Sequence, residues 1–374
     1  MKSLPARPEN ADFSRRLLAW YRLRGRSLPW RRSRDPYRIW LSEIMLQQTG
    51  VATVIPYFER FLDRFPDLAS LAAADPAEVI ALWSGLGYYS RARNLHAAAR
   101  LLMTRHQGNF PEELAELMAL PGIGRSTAGA IAAIAFGKRA PILDGNVRRI
   151  LCRLFALEEA PATAASRKRL WQWAEELTPA DDLHDYSQAV MDLGATVCTP
   201  RNPDCGSCPV SACCLAYRLG RVSEFPVAAP KKKIPTARQL ALVLKHRGQL
   251  LLRKRPYHGF LGGLWEFPNK ILAEGEQSGD AAARMLDDLG LCGELRHTGE
   301  VRHAYSHFRL VAEIRCGEVT CRNDRAAERD DESCWFAAEV VADLPLHGAH
   351  RKIVDRLKGG GFTPGPAPTL EEAL

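Results

Sequence analysis

The chain has 374 residues and a formal net charge of +8, and 46% of its residues are hydrophobic while 25% are charged. This composition excludes general disorder, and the length suits two or three domains whose cores need no disulfides. The longest run of small apolar residues, Ala128 to Phe136, is shorter than the roughly 20 residues that span a bilayer. The N-terminal sequence shows no apolar signal segment, so we expect a cytoplasmic protein.

Positive charge is concentrated in the first part of the chain. Residues 1–233 carry 32 Lys and Arg against 23 Asp and Glu, whereas residues 234–374 carry 19 against 20. The basic part is compatible with a polyanionic partner such as a nucleic acid, and equally with a solvated basic surface.

Residues 13–220 are predicted to be mostly helical. The first helix is indicated by apolar residues at helical spacing: Phe13, Leu17, Leu18 and Tyr21. Residues 39–61 show the same spacing, and Pro56 predicts a break within them. Pro76 and Pro111 indicate the starts of two further helices.

After this region the pattern changes to that of an α+β domain. QLALVLKHRGQLLLRKRP predicts two strands joined by a His-Arg-Gly turn, and VRHAYSHFRLVAEIRC predicts another strand-like stretch. DAAARMLDDLGL between them predicts a short amphipathic helix. We therefore expect a helical domain at 1–224, a proline- and lysine-rich linker at 225–237, an α+β domain at 238–358 and a flexible tail at 359–374.

Four of the ten cysteines form a C-x6-C-x2-C-x5-C run, at Cys198, Cys205, Cys208 and Cys214. Thiols stay reduced in the cytoplasm, and clustered thiolates are typical of an iron–sulfur or a zinc site. Zinc sites usually contain two short cysteine pairs, and only one is present here, so the spacing favours a [4Fe–4S] cluster. Cys213 is an alternative ligand beside Cys214.

A glycine turn joins two predicted helices between Leu120 and Gly137. Gly122 and Gly124 can bring backbone N–H groups close to a DNA phosphate at a helix N-terminus, although an ordinary turn between helices explains the same pattern. Asp144 follows, at the start of another helix. It is either a plain N-cap or a partly desolvated carboxylate.

A second acidic residue, Glu43, lies in the hydrophobic segment PYRIWLSEIMLQQT. A glutamate among apolar neighbours is unfavourable unless it is paired or protonated. A raised pKa would suit Glu43 as a general acid, whereas a salt bridge would make it a structural residue of the core.

The chain resembles the helix-hairpin-helix DNA glycosylase superfamily and, within it, adenine DNA glycosylases of the MutY type. The resemblance lies in WLSEIMLQQT, GLGYYSRARNLH, LPGIGRSTAGAI, PILDGNVRRIL, MDLGATVC and VRHAYSHF, and it extends to about residue 358. It implies a base excision repair hydrolase that removes adenine mispaired with 8-oxoguanine or guanine in double-stranded DNA. It also implies one [4Fe–4S] cluster held by the four cysteines. We expect a monomer that is associated with the nucleoid when it is bound to DNA.

The resemblance also implies roles for single residues. Glu43 matches the general acid of the family and Asp144 its catalytic aspartate. Ser126 stands where bifunctional relatives of the endonuclease III type carry a Schiff-base lysine, so we expect no lyase activity. The other substrate-binding positions are Trp30, Arg31 and Gln188 in the adenine pocket, Gln48 and Tyr88 wedging into the duplex, and Tyr305, Ser306 and His307, which match a Phe-Ser-His loop that senses 8-oxoguanine.

The second domain resembles a Nudix fold in GGLWEFPNK and DAAARMLDDLGL. The usual Arg-Glu pair is replaced by Ala283 and Arg284, and Asp287 and Asp288 stand where two glutamates would be. Exchange of a carboxylate for a cation weakens Mg²⁺ binding, so we expect no pyrophosphohydrolase activity.

Three other functions stay open at this point. An endonuclease III-like lyase for oxidised pyrimidines would lack its lysine at Ser126. A Nudix hydrolase fused to a DNA-binding module is disfavoured by Ala283 and Arg284. A non-catalytic iron–sulfur DNA-binding protein would make Glu43 and Asp144 structural.

Overall fold

The computed structural model describes residues 10–228, 234–257, 259–321 and 333–358. The chain divides into two compact units, Met1–Asp75 with Arg91–Lys231 and Pro76–Ser90 with Lys232–Leu374. The first unit is helical and the second contains a sheet with helices, which is the fold class that the sequence predicts. No helix in the described ranges is long and apolar enough to cross a membrane. The predicted tail at 359–374 lies outside the described residues.

Helices make up almost all of the regular structure before residue 229. They are α1 (Asn10–Arg24), α2 (Pro36–Leu46), α3 (Val51–Arg64), α4 (Leu68–Ala73), α5 (Pro76–Leu82), α6 (Ser90–Arg105), α7 (Leu114–Met118), α8 (Arg125–Phe136), α9 (Gly145–Leu154), α10 (Ala164–Leu177), α11 (Leu183–Asp192) and α12 (Leu215–Arg218). A π-helical turn, Leu193–Val197, extends α11. Helix α5 belongs to the second unit although it precedes most of the first in sequence.

The break predicted at Pro56 is wrong, because this proline lies inside α3. The helices separate instead after Leu46, where Gln48 adopts a left-handed φ of 59° and Gly50 precedes α3. Pro56 lacks the N–H that would bond the Ala52 carbonyl, and both residues are exposed.

Helix α8 lies at the centre of the first unit, where it packs against α2 and α11. Its sequence is rich in alanine and contains one glycine, Gly129, which lets other backbone segments come close. A Cβ atom on Gly129 would lie only 2.4 Å from the carbonyl oxygen of Pro141. This close approach fixes the segment that leads into α9 against the side of α8.

The second unit contains nine described strands and three further helices. They are β1 (Thr236–His246), β2 (Gln249–Lys254), β3 (Trp265–Glu266), β4 (Asn269–Ile271), α13 (Ser278–Asp288), β5 (Leu291–Cys292), β6 (Arg296–Ala304), β7 (Arg309–Glu318), β8 (Thr320–Cys321), β9 (Ser333–Ala337), α14 (Ala338–Val341) and α15 (Gly348–Lys358). The main sheet has the order β3-β2-β1-β7-β6, with β4 paired to β1 and β9 paired to β2. Strands β1 and β7 run parallel, and β5 pairs with β8 separately.

Both faces of β1 are buried, which explains its continuous apolar run. Ala241 and Val243 pack with Ile353 of α15, whereas Leu240 and Leu242 pack with residues of α13 such as Leu286. Successive side chains of a strand point to opposite faces, so one strand serves two cores.

The two predicted strands at QLALVLKHRGQLLLRKRP are confirmed as β1 and β2. Arg247 and Gly248 form their turn with φ values of 50° and 80°, as a two-residue hairpin loop requires. The predicted helix at DAAARMLDDLGL is confirmed as α13. The single strand-like stretch predicted at VRHAYSHFRLVAEIRC is wrong, because it forms the two antiparallel strands β6 and β7 joined by a turn at 305–308. YSHF contains none of the Gly, Pro or Asn residues that mark most turns.

Candidate active site

Glu43 faces a cavity of about 440 Å³ in the first unit. Asp35 starts the helix that carries it, because the Asp35 carboxylate accepts a hydrogen bond from the backbone N–H of Tyr37 at 3.0 Å. Neighbouring residues of α2, including Trp40 and Leu41, are fully buried in the core. The glutamate is thus held rigidly at the edge of an apolar helix face.

Asp144 faces the same cavity from the start of α9. Its Oδ1 accepts the backbone N–H of Val147 at 2.8 Å, and its Oδ2 accepts from the side-chain amide of Asn146 at 3.3 Å. The residue is therefore an N-cap, and the cap also fixes the direction of the carboxylate. Burial raises the pKa of Asp144, while the hydrogen bonds from Val147 and Asn146 oppose that effect.

Burial and the nearby negative charge of Asp144 raise the pKa of Glu43 to about 7, while the positive charge of Arg31 opposes them. Within the described ranges, the Glu43 carboxylate forms no ion pair and no hydrogen bond. The structural alternative of a salt-bridged core glutamate is therefore wrong. A carboxyl group near half protonation at neutral pH is suited to donate a proton.

Asp192 forms a buried ion pair with Arg31 that offsets the positive charge of the guanidinium. Its side chain is 1% exposed and accepts two hydrogen bonds from the Arg31 guanidinium, each 2.8 Å long. Arg26 adds two more, from its Nε at 2.7 Å and from its backbone N–H at 2.9 Å. Burial alone would raise the pKa of Asp192, but the bonds from Arg31 and Arg26 lower it overall. Because Arg31 is neutralised in this way, it attracts the Glu43 carboxylate only weakly.

Gln188 is held in one amide orientation. His184 Nδ1 lies 2.9 Å from the carbonyl oxygen of Ile134, which makes Nδ1 the protonated nitrogen. His184 Nε2 must then accept from the Gln188 side-chain NH₂ group at 2.8 Å. The Gln188 carbonyl oxygen is left as the acceptor for other groups. Gln188 lines the cavity, as do the predicted pocket residues Trp30 and Arg31.

Ser126 also lines the cavity, from the first turn of α8. Its Oγ accepts the backbone N–H of Leu143 at 3.0 Å, one residue before Asp144.

The predicted wedge residue Gln48 does not line this cavity. It is exposed in the turn between α2 and α3, while its neighbour Gln47 lines the wall.

Gly122 and Gly124 lie in the turn between α7 and α8. Gly122 has a φ of 79°, and a Cβ atom there would lie 2.8 Å from Cβ of Asn94, so only glycine fits. Gly124 immediately precedes α8 and is exposed. The first N–H groups of a helix have no partner within that helix, so α8 presents free donors at its start.

The four thiols of the predicted ligand set line one small cavity: Cys198, Cys205, Cys208 and Cys214. Cys213 does not belong to it, because its thiol lies 3.6 Å from a carboxylate oxygen of Asp12. The alternative assignment of Cys213 therefore does not fit the geometry.

Arg153 is a buried cation beside the thiols, with 3% of its surface exposed. It donates to Cys198 Sγ at 3.3 Å and to the backbone carbonyls of Thr199, Pro200 and Phe225. Within the described part of the chain it contacts no carboxylate. A buried cation without a carboxylate fits a site that carries negative charge from thiolate ligands.

The remaining predicted residues lie in the second unit, where a cavity of about 570 Å³ is lined by Tyr88, Tyr305, Ser306 and His307. The hydroxyls of Tyr88 and Ser306 are 3.1 Å apart. Tyr88 is 43% exposed and has a φ of 50°. It is therefore not the core tyrosine of the alternative interpretation.

Residues 41–176 match the HhH-GPD superfamily of base excision DNA repair proteins, and residues 239–356 match the NUDIX domain. An adenine DNA glycosylase of Buchnera aphidicola subsp. Schizaphis graminum (strain Sg) is 40% identical over 353 residues, covering 92% of this chain and 99% of that protein. The chain belongs to the adenine DNA glycosylase family. The adenine DNA glycosylase of Mus musculus is 38% identical over 399 residues, covering 91% of this chain and 77% of the relative.

Among solved structures, that of a thermostable thymine-DNA glycosylase matches with a TM-score of 0.52 and 29% identity. The match covers 56% of this chain and 97% of the other. The adenine DNA glycosylase family thus shares part of its fold with a glycosylase named for a different base. The fold alone therefore does not determine the base on which a glycosylase acts.

The sequence interpretation missed several residues that shape the sites of this adenine DNA glycosylase family member. They are Arg26, Arg153, His184 and Asp192. Arg153 and Asp192 lie among apolar residues, where a charged side chain is unusual, whereas Arg26 and His184 have polar and charged neighbours that give no such signal. A charged residue among apolar neighbours is a signal that the sequence contains, but it does not reveal which group that residue pairs with.

Proposed function

We propose that the protein removes adenine from double-stranded DNA in which adenine is mispaired with 8-oxoguanine or guanine. It hydrolyses the N-glycosidic bond of an extruded nucleotide and leaves an abasic site. The observation that supports this proposal best is the pair of carboxyl groups, Glu43 and Asp144, which face one cavity in different surroundings.

Protonated Glu43 acts as the general acid. It donates a proton to N7 of adenine, so that the C1′–N9 bond breaks with its electron pair going to a neutral leaving base. The Asp144 carboxylate, aimed by its cap, stabilises the positive charge that develops on the sugar. Water then adds to C1′ and loses a proton.

Gln188 supplies the means to recognise adenine. Its carbonyl oxygen is an acceptor for the exocyclic amine of the base, because His184 engages the NH₂ group. In a base with a carbonyl at that position, the carbonyl oxygen would face the Gln188 side-chain oxygen. Two hydrogen-bond acceptors would then oppose each other, which is unfavourable. Trp30 and the neutralised Arg31 complete the wall.

Ser126 supports hydrolysis without lyase activity. A lyase step requires an amine that forms an imine with the opened sugar. The side chain beside Asp144 is a hydroxyl instead, engaged with the Leu143 N–H.

A [4Fe–4S] cluster fits the four convergent thiols of Cys198, Cys205, Cys208 and Cys214. Arg153 would balance its charge. When bound, such a cluster would cross-link the loop at 198–214 through its four cysteines, and Arg153 would connect that loop to α9.

The second unit reads the base opposite adenine through Ser306 and His307. Both are exposed at the turn between β6 and β7, and both offer polar groups. Hydrolysis of free nucleotides is not expected, because Arg284 on α13 pairs with Glu276 at 2.5 Å where the usual metal ligand is absent.

The experiment uses full-length protein and duplexes with one adenine opposite 8-oxoguanine, guanine or thymine. Each product is split into two samples, with and without alkali. We expect scission only after alkali, in the order 8-oxoguanine, guanine, then thymine. Glu43→Gln should abolish product formation while duplex binding persists. The control Glu59→Gln changes an exposed glutamate of α3 in the same way and should leave product formation unchanged. Scission without alkali, or equal activity of both variants, would contradict the proposal.

A further inference from the structure

A chain of polar groups is buried beneath the turn that joins β6 and β7. His347 is 2% exposed, and its Nδ1 lies 2.9 Å from the hydroxyl of Tyr305. Its Nε2 lies 3.3 Å from a carboxylate oxygen of Glu266. Glu266 accepts a further bond from Arg255 at 2.7 Å. None of these groups is used by the chemistry described above.

The hydrogen-bond directions in this chain follow from Glu266. Arg255 can only donate, so Glu266 is the acceptor for both Arg255 and His347. The neutral His347 imidazole then carries its proton on Nε2, and its Nδ1 accepts the hydroxyl proton of Tyr305. Every member is thus paired, as buried polar groups must be.

Arg255 supports the same tyrosine by a second route. Its Nε donates to the carbonyl oxygen of Phe260 at 3.1 Å. The Phe260 ring then meets the Tyr305 ring edge-on, with centroids 5.2 Å apart. The ring of Tyr305 is therefore held at its face by aromatic packing and at its hydroxyl by His347.

A metal site is the alternative for this cluster, because ligand atoms of Glu266, His347 and His350 lie within 4.8 Å of one another. The geometry of His350 opposes it. Its Nδ1 accepts the backbone N–H of Phe267 at 2.8 Å, and its Nε2 lies 3.5 Å from the Gln239 side-chain oxygen. The proton of this neutral imidazole is on Nε2, so neither nitrogen has a lone pair to offer.

Tyr305 is the first residue of the turn whose exposed tip is Ser306 and His307. Its backbone N–H donates to the carbonyl oxygen of Phe308 at 2.9 Å, which closes the turn. Fixing Tyr305 therefore fixes the backbone on which both tip side chains are mounted. A turn that is ordered before binding avoids the entropy loss of ordering it on DNA.

We propose that His347 is a positioning residue for recognition of the base opposite adenine, acting through the Tyr305 hydroxyl on Ser306 and His307. The inference rests on the proposed function. Phenylalanine at position 305, as in the Phe-Ser-His loop that this turn resembles, could not make the bond. The anchor is thus specific to chains that carry both the tyrosine and the histidine.

The test is a double-mutant cycle on full-length protein with Tyr305→Phe, His347→Phe and the double variant. The readout is the ratio of single-turnover adenine release opposite 8-oxoguanine to that opposite guanine. Each single variant should lower this ratio about fivefold, the factor that one hydrogen bond of ordinary net strength supplies. The double variant should lower it no further, because both changes break the same bond.

His246→Phe is the matched control, since His246 bonds the Val319 carbonyl oxygen at 2.8 Å in the same sheet. It should keep the wild-type ratio. A wild-type ratio in Tyr305→Phe, which removes a single hydroxyl and so keeps the test valid if His347→Phe does not fold, would overturn the proposal. The proposal would also be overturned if the double variant lowered the ratio by the product of the two single effects. The same holds if wild-type protein bound one zinc ion per chain and His347→Phe lost it. If wild-type protein releases no adenine from either duplex, the proposed function has failed instead.

Discussion

Replacement of Glu43 by glutamine separates stability from catalysis, because the two should change in opposite directions. Glutamine keeps the shape of the side chain and cannot ionise. In the wild-type protein, burial and Asp144 raise the pKa of Glu43 from 4.5 to about 7. At about 1.4 kcal/mol for each tenfold change, this corresponds to about 3 kcal/mol between the ionised and neutral forms.

The sign follows from proton binding. Between pH 4.5 and about 7 the folded protein holds a proton on Glu43 that the unfolded chain has lost, so the stability of the wild type falls as the pH rises. Above about pH 7 both states are ionised and the difference is constant. Glu43→Gln should therefore gain up to about 3 kcal/mol relative to the wild type between pH 4.5 and 7 and keep it at higher pH.

Base release should respond in the other direction. Loss of a general acid reduces a rate by about 10²- to 10⁴-fold. The wild-type single-turnover rate should fall about tenfold per pH unit above pH 7, as the acid loses its proton. Urea unfolding midpoints and adenine release, each measured from pH 5 to 8 for wild type, Glu43→Gln and the exposed control Glu59→Gln, test both statements. A stability difference that does not vary with pH would refute the desolvation argument, and wild-type release by the variant would refute the acid role.

Three further predictions concern other parts of the molecule. Asp144→Asn should lower adenine release at least about 100-fold while thermal stability is kept, because asparagine is also a good N-cap; a wild-type rate would leave Asp144 as a cap alone. Cys214→Ser should lose bound iron while Cys213→Ser keeps it, and the reverse iron contents would move the ligand from Cys214 to Cys213. Ser306→Ala combined with His307→Ala should reduce the preference for 8-oxoguanine over guanine, and an unchanged ratio would remove these residues from base recognition.

The sequence predicts those features that depend on neighbours along the chain. The apolar residues around Glu43 indicate its desolvation, and the Arg-Gly pair after His246 indicates the turn between β1 and β2. The spacing of the cysteines indicates a shared site. In each case the residues that decide the feature lie close together in the sequence, within a few residues for Glu43 and the turn and within 198–214 for the cysteines.

Other features depend on contacts between distant segments and have no local signal. Arg31 and Asp192 are 161 positions apart, and Tyr305 and His347 are 42 apart. The pattern of apolar residues shows that Asp192 is buried, but it cannot show which cation neutralises it. The orientation of Gln188 likewise depends on the Ile134 carbonyl, 54 positions earlier along the chain.

The absence of a side chain at Gly129 determines where the carboxylate of Asp144 is placed. Gly129 touches no substrate group, yet the Pro141 carbonyl occupies the space that its side chain would need. Alanine at position 129 would displace the backbone at Pro141, just before Asp144, and the Asp144 carboxylate would move with it. Alignment at the reacting sugar therefore depends on the absence of a side chain at Gly129, which lies on α8 between the cavity-lining residues Ser126 and Ala130.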